Sequence, residues 1–143
     1  MFNSQLPETT VAESKSFFIA NETNTEPLVL IVEDDTDSRS MLKFMLETWK
    51  YQVVEAQDGF EAIEKTKQMN PDLILMDVGL PDMDGFDVTR LIREFTTLDS
   101  LPIIYLSAFP KSLAEHAGGN DYLVKPVDAM ELESVLNSYI RRH

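Results

Sequence analysis

The chain has 143 residues and no cysteine, and it carries 25 Asp plus Glu against 12 Lys plus Arg, a formal charge of −13. That length holds one ordinary domain whose core needs no staples, and the missing thiols exclude disulfides and thiolate metal centres. So acidic a surface repels nucleic-acid phosphates, and no basic stripe offers them a groove, so no nucleic-acid partner is expected.

No apolar run approaches the roughly 20 residues needed to cross a bilayer, so no membrane insertion is expected. The N-terminus lacks the basic start of a secretory signal, and its apolar patch, Phe17-Phe18-Ile19-Ala20, is too short for one. A cytoplasmic location is the expectation. Residues 1–26 are rich in Thr, Ser, Asn and Glu without sustained periodicity, and Pro27 closes them. This composition predicts a flexible N-terminal arm, in which Phe17 to Ile19 are either incidental or a docking patch.

From Leu28 the pattern changes. Leu28-Val-Leu-Ile-Val32 is a continuous apolar run, as in a strand buried on both faces. Leu42, Met45, Leu46 and Trp49 then recur at helical spacing, with Asp35, Thr36 and Asp37 available as caps. Tyr51 to Val54 predicts a second strand, Asp58-Gly59 a turn, and Phe60 to Met69 a helix ended by Asn70-Pro71. Leu73 to Met76 predicts a third strand, and Val88, Leu91, Ile92 and Phe95 the inner face of the following helix. Pro102 to Leu106 predicts a fourth strand. Lys111 to Ala117 leaves room for a short helix stopped by Gly118-Gly119. Tyr122 to Val124 predicts a fifth strand, and Leu132, Val135, Leu136 and Tyr139 the inner face of a last helix.

Strands alternating with helices, and strands apolar throughout, indicate an α/β fold: a parallel sheet wound by helices on both faces. Such sheets place their ligands beyond the carboxyl ends of the strands. There the first strand ends in Glu33-Asp34-Asp35, the third in Asp77, the fourth in Ser107 and the fifth in Lys125. Gathered carboxylates repel unless a positive charge sits among them. Oxygen ligands in this number suit a hard cation, Mg²⁺ above all, with Mn²⁺ as a substitute. A carboxylate so neutralised can attack phosphorus, and a lysine and a hydroxyl can hold the phosphoryl oxygens. Taken singly these residues say little. An acidic run after a strand is often helix capping, and a Lys-Pro pair is often a solvated loop. Their coincidence at four strand ends carries the reading.

Four segments carry a resemblance: Leu28 to Asp35, Asp72-Leu-Ile-Leu-Met-Asp-Val-Gly-Leu-Pro-Asp-Met-Asp-Gly85, Pro102-Ile-Ile-Tyr-Leu-Ser-Ala108 and Asp121-Tyr-Leu-Val-Lys-Pro126. Together they resemble the receiver domains of bacterial two-component systems over residues 28 to about 142, within a domain drawn as 27–143. The resemblance implies a flavodoxin-like, doubly wound five-stranded sheet of order 2-1-3-4-5. It matches Asp77 to the phosphorylated aspartate, Glu33 and Asp34 to the acidic pair that holds Mg²⁺, and Gly79 to the position whose backbone carbonyl joins them. Ser107 matches the hydroxyl that moves toward the phosphoryl group, Lys125 the lysine, Tyr122 the aromatic coupled to that hydroxyl, and Pro126 the proline after a commonly cis peptide.

The implied function is phosphorelay signal transduction. Asp77 would accept a phosphoryl group from a sensor histidine kinase or a histidine phosphotransfer protein and so switch a surface read by a downstream protein partner. Such a domain is a regulatory phosphoacceptor, not an enzyme with a substrate of its own. Between Ser107 and Lys125 the chain is about one helical turn shorter than the pattern, which shortens the fourth helix of the resemblance. No output domain is expected after Arg141-Arg142-His143. Two rivals remain: a phosphorylation-independent pseudo-receiver, and an Asp-nucleophile phosphatase. The second would want another Asp at position 79, where this chain has Gly.

Overall fold

A computed structural model describes residues 26–95, 101–108 and 118–140. The strands are β1 (Leu28–Val32), β2 (Gln52–Ala56), β3 (Leu73–Asp77), β4 (Ile103–Ser107) and β5 (Asp121–Val124). The helices of the described residues are α1 (Thr36–Thr48), α2 (Gly59–Met69), α3 (Gly85–Phe95) and α4 (Ala129–Tyr139). All strand pairings are parallel, in the order β2-β1-β3-β4-β5, which is the order expected.

Alternate residues of a strand point to opposite faces, and both faces of this sheet are covered. Leu30, Val32, Ile74, Met76, Ile103 and Tyr105 pack with Ala62 of α2 and with Val88 and Ile92 of α3. Val29, Ile31, Leu73, Leu75, Ile104 and Leu106 pack with Leu42 and Leu46 of α1 and with Leu132 and Leu136 of α4. Every residue of β3 and β4 is buried, which is why their sequences are continuous rather than alternating in hydropathy. None of the helices among the described residues is long and apolar enough to cross a membrane.

Local chemistry sets the helix ends. The carboxylates of Asp35, Asp58 and Asp128 accept from the backbone N–H groups of Ser38, Glu61 and Glu131 at 2.8, 2.8 and 3.0 Å, satisfying donors that a helix start leaves open. Asn70 closes α2 in the left-handed region at φ 49°, a conformation asparagine tolerates better than most residues.

Two expectations need correction. The second strand runs over Gln52–Ala56 instead of 51–54, because its parallel register continues to Ala56 opposite Val32. Tyr51 instead sits buried at the turn, its N–H donating to Leu46 O and so closing α1. On α3 the inner face is rotated: Val88, Thr89 and Ile92 are buried, whereas Leu91 and Phe95 are 38% and 36% exposed. Thr89 takes an inner place without an unpaired hydroxyl, since its Oγ1 donates to Gly85 O. Phe95 instead lies beneath the ammonium of Lys67, 5.1 Å from the ring centre. The arm, the short helix expected over 111–117 and the last residues, 141–143, lie outside the described residues.

The end of the sheet away from the strand carboxyl termini is tied by Arg93 of α3. Its guanidinium donates to Gly118 O, Leu101 O and Asn120 Oδ1 at 2.8–3.1 Å, and Asn120 Oδ1 also accepts from Ile103 N. The starts of β4 and β5 are thereby joined to α3. Beside this clasp the wholly buried Tyr105 ring meets Phe86 edge-on at 4.9 Å. Its far edge lies against Gly119, where an added Cβ would be 2.2 Å from Tyr105 Cε2. Gly119→Ala therefore overpacks the core and lowers stability by about 1–3 kcal/mol in urea unfolding. In a Tyr105→Leu background the same change has a much smaller effect; an equal loss in both backgrounds would show that ring contact is not its cause.

Candidate functional site

Parallel strands bring their carboxyl ends to one edge, and the register places the side chains there. Val32 pairs with Met76, so Glu33 and Asp77 lie level on neighbouring strands. Asp77 pairs with Leu106, and Ser107 with Val124, which sets Ser107 and Lys125 on the same rim. The Lys125 N–H donates to Ser107 O at 2.9 Å.

Glu33, Asp34 and Asp77 each offer a carboxylate oxygen within 4.8 Å of the others. Glu33 and Asp77 are 1% and 4% exposed, while Asp34 is solvent-exposed. The Lys125 ammonium lies 2.9 Å from Asp77 Oδ1 and 3.0 Å from Glu33 Oε1. Asp77 Oδ1 also accepts from Gly79 N at 3.2 Å, and Glu33 Oε2 from Asp35 N at 3.1 Å. Glu33 Oε1 is a buried oxygen that receives charge from Lys125 but no well-directed hydrogen bond.

Burial raises the pKa of Glu33. The Asp35 N–H and the Lys125 ammonium oppose that shift without cancelling it, and the charge of Asp77 adds to it. Lys125 is drawn down by burial, but its bonds and attraction to Asp77 and Glu33 outweigh this, and it stands above the ordinary lysine value. One ammonium among three carboxylates leaves two negative charges unmatched, in an all-oxygen donor set with an orphaned Oε1. A hard divalent cation fits that arrangement.

The other residues singled out from the sequence are placed as follows. Ser107 is buried at the end of β4. Tyr122 is half-buried in β5, opposite Tyr105, and packs against the core on the α2–α3 side. Gly79 is exposed in the loop after β3, and the Lys125–Pro126 peptide is cis. Asp35, one of the candidate caps, serves α1, and its pKa lies below the ordinary value because of the Ser38 backbone bond.

Three further residues shape the site. Gly85 opens α3 against the end of β3: a Cβ there would stand 2.4 Å from Asp77 O. Asp82 reaches back 23 residues and accepts from Gly59 N at 2.8 Å, and its other oxygen accepts from Phe60 N at 2.9 Å. The loop that carries Gly79 is thus pinned to the start of α2. Desolvation raises the pKa of the exposed Asp82, but these backbone bonds outweigh it and leave the group below the ordinary aspartate value. Arg39, 12% exposed, folds back from α1 onto Glu33 O. Gly85 and Asp82 lie within the motif quoted above, yet only their neighbours in space reveal what they do. For Arg39, one turn into a helix, the sequence carries no signal.

An apolar cleft of about 740 Å³ adjoins the carboxylates. Met41, Leu42 and Met45 of α1 line it together with Leu106, Val127, Glu33 and Lys125.

Comparison with known proteins points the same way. An uncharacterized 14.6 kDa protein in the sodA1 3′ region of Leptolyngbya boryana is 38% identical over 115 residues, covering 78% of this chain and 88% of that protein. The receiver domain of the sensor histidine kinase PA1611 from Pseudomonas aeruginosa has a magnesium ion coordinated in its active-site cleft. It matches with TM-score 0.74 and 34% identity over 80% of this chain and 98% of its own. The receiver domain of Ssk1 from Saccharomyces cerevisiae, crystallised with the histidine phosphotransfer protein Ypd1, matches with TM-score 0.74 and 30% identity, covering 80% of this chain and 88% of that one. Several transcriptional regulators also match, and of these the chain spans about half the length. The family model described as the response regulator receiver domain matches residues 29–137. The chain belongs to the response regulator receiver domain family, whose members are regulatory phosphoacceptor domains that generally bind Mg²⁺ at an acidic pocket.

Proposed function

We propose that residues 27–143 form a phosphorelay switch whose acceptor is Asp77. The observation that carries this is a single nearly buried carboxylate at the end of β3, flanked by Glu33 and Asp34 and held by the Lys125 ammonium at 2.9 Å. In the reaction an Asp77 carboxylate oxygen forms a bond to phosphorus as the P–N bond to a donor imidazole breaks, and the electron pair leaves on the nitrogen. No base is required, because an ionised aspartate carries no proton to remove.

Glu33, Asp34, Asp77 and the Gly79 carbonyl would hold Mg²⁺, which when bound supplies positive charge to the phosphoryl oxygens. Lys125 already faces the reacting carboxylate and needs only to pass from carboxylate to phosphoryl oxygen. Ser107, at the adjacent strand end, would donate a hydrogen bond to the same group. Its movement would open room for Tyr122 to turn inward, changing the surface around β5 for a downstream protein. The apolar cleft along α1 opens beside these groups, a footing for the helix of a protein that presents a phosphohistidine. That Ssk1 was crystallised with a phosphotransfer protein supports a donor of this class.

Acetyl phosphate with Mg²⁺ is expected to give a retarded band on a phosphate-affinity gel, absent in Asp77→Ala. No retarded band in the wild type, or the same band in the variant, refutes the assignment. Partner capture that ignores both Asp77→Ala and beryllofluoride would indicate the pseudo-receiver instead.

Lys125→Met leaves two facing carboxylates without their counter-charge. The expected loss is about 1–3 kcal/mol at pH 7, less than for a fully buried pair because the Lys125 side chain is 32% exposed. The raised lysine contributes stability below its ordinary value of 10.5, and this is lost as pH rises through its higher folded value. The gap between wild type and variant should therefore close in strong alkali. It should also narrow in acid as Glu33 protonates, beginning above the ordinary 4.5. Urea titrations across pH test both limbs.

A further inference from the structure

We infer that Arg39 is a positioning residue for the cation site, an inference that rests on the Mg²⁺ reading above. Only Glu33, Asp34 and Asp35 separate β1 from α1, and the first two must aim their carboxylates at Asp77. Their backbone leaves the sheet there: Glu33 N makes the last bond to β2, donating to Ala56 O at 3.0 Å. Arg39 supplies what the ladder no longer does. Its NH1 donates to Glu33 O at 2.8 Å and makes a longer contact to Asp34 O at 3.5 Å. Its Nε donates to Glu55 Oε1 at 3.0 Å, and Lys43 steadies the other oxygen of Glu55 at 3.3 Å. A planar fork can serve a carbonyl pair and a carboxylate at once; a lysine ammonium cannot hold that geometry. With those carbonyls held, the peptide plane between Glu33 and Asp34 is held, and with it the directions of both side chains.

Charge and position make opposite demands here. A guanidinium beside the acidic cluster repels a dication, so on charge alone its removal would tighten Mg²⁺ binding. If Arg39 acts by holding the backbone, its removal weakens binding despite the lost repulsion. Outer partners of metal ligands typically change affinity by about 10–100-fold, and the lower end is expected, since a carbonyl contact is one step removed from the carboxylates.

The test is calorimetric titration of Mg²⁺ into the full chain for wild type, Arg39→Ala and Arg39→Lys. Without metal, amide exchange at residues 33–36 provides a second readout. Arg39→Ala should raise Kd about ten-fold and speed exchange at 33–36 while the β3 amides stay protected. Arg39→Lys keeps the charge and should recover little of the affinity. Binding in Arg39→Ala as tight as wild type or tighter, or full recovery in Arg39→Lys, overturns the inference and leaves the Mg²⁺ reading standing. No Mg²⁺ binding by the wild type overturns the Mg²⁺ reading itself. Should Arg39→Ala fail to fold, Glu55→Gln decides, because it removes the buttress and leaves the guanidinium: an unchanged Kd counts against the inference, and a several-fold rise supports it.

Discussion

Glu33, Asp34 and Asp77 repel one another, and the fold spends its geometry on keeping them together. A carboxylate at the end of a buried parallel strand has no water to soften its charge, and Lys125 is the counter-charge that makes two such groups tolerable. The lysine comes from the far side of β4, so the pair forms only when β1, β3, β4 and β5 stand in order. Cluster and sheet topology are thus one constraint, in which charge that would be costly at any other edge becomes a site at this one.

Around that charge, backbone positions are held by contacts that leave little slack. Gly85 lets α3 begin against the carbonyl of Asp77, where any side chain would push the strand end away. Asp82 draws the following loop onto α2, and Arg39 draws the preceding loop onto β2 through Glu55. At the opposite end Arg93 fastens α3 to the starts of β4 and β5. Charged side chains thus fasten backbone groups at both ends of the sheet, and the carboxylate cluster with its lysine stands on the upper rim alone among the described residues.

Much of this was legible in the residues. Apolar runs such as Leu73 to Met76, short and bounded by turn residues, fit strands covered on both faces, and their number and spacing give the winding. The strand-end residues Glu33, Asp77, Ser107 and Lys125 follow from counting to the end of each run. What escaped depended on contacts made only in the folded chain. Leu91 and Phe95 keep helical spacing with Val88, but Thr89 with its backbone bond to Gly85 fits the core better, and only packing decides between them. Tyr51 has the composition of a strand residue yet plugs a turn. Arg39 and Asp82 act on backbone atoms whose positions no side-chain pattern records.

The bond from Asp82 to the start of α2 bears on how the chain reaches its fold. A helix start normally draws its caps from the residues just before it, as Asp58 does here for Glu61. The amides of Gly59 and Phe60 wait instead for a carboxylate 23 and 22 residues later, beyond β3. The first turn of α2 is completed only after β3 has laid itself beside β1 and the following loop has turned back. The full set of bonds at this helix start is thereby coupled to long-range strand pairing in this half of the molecule.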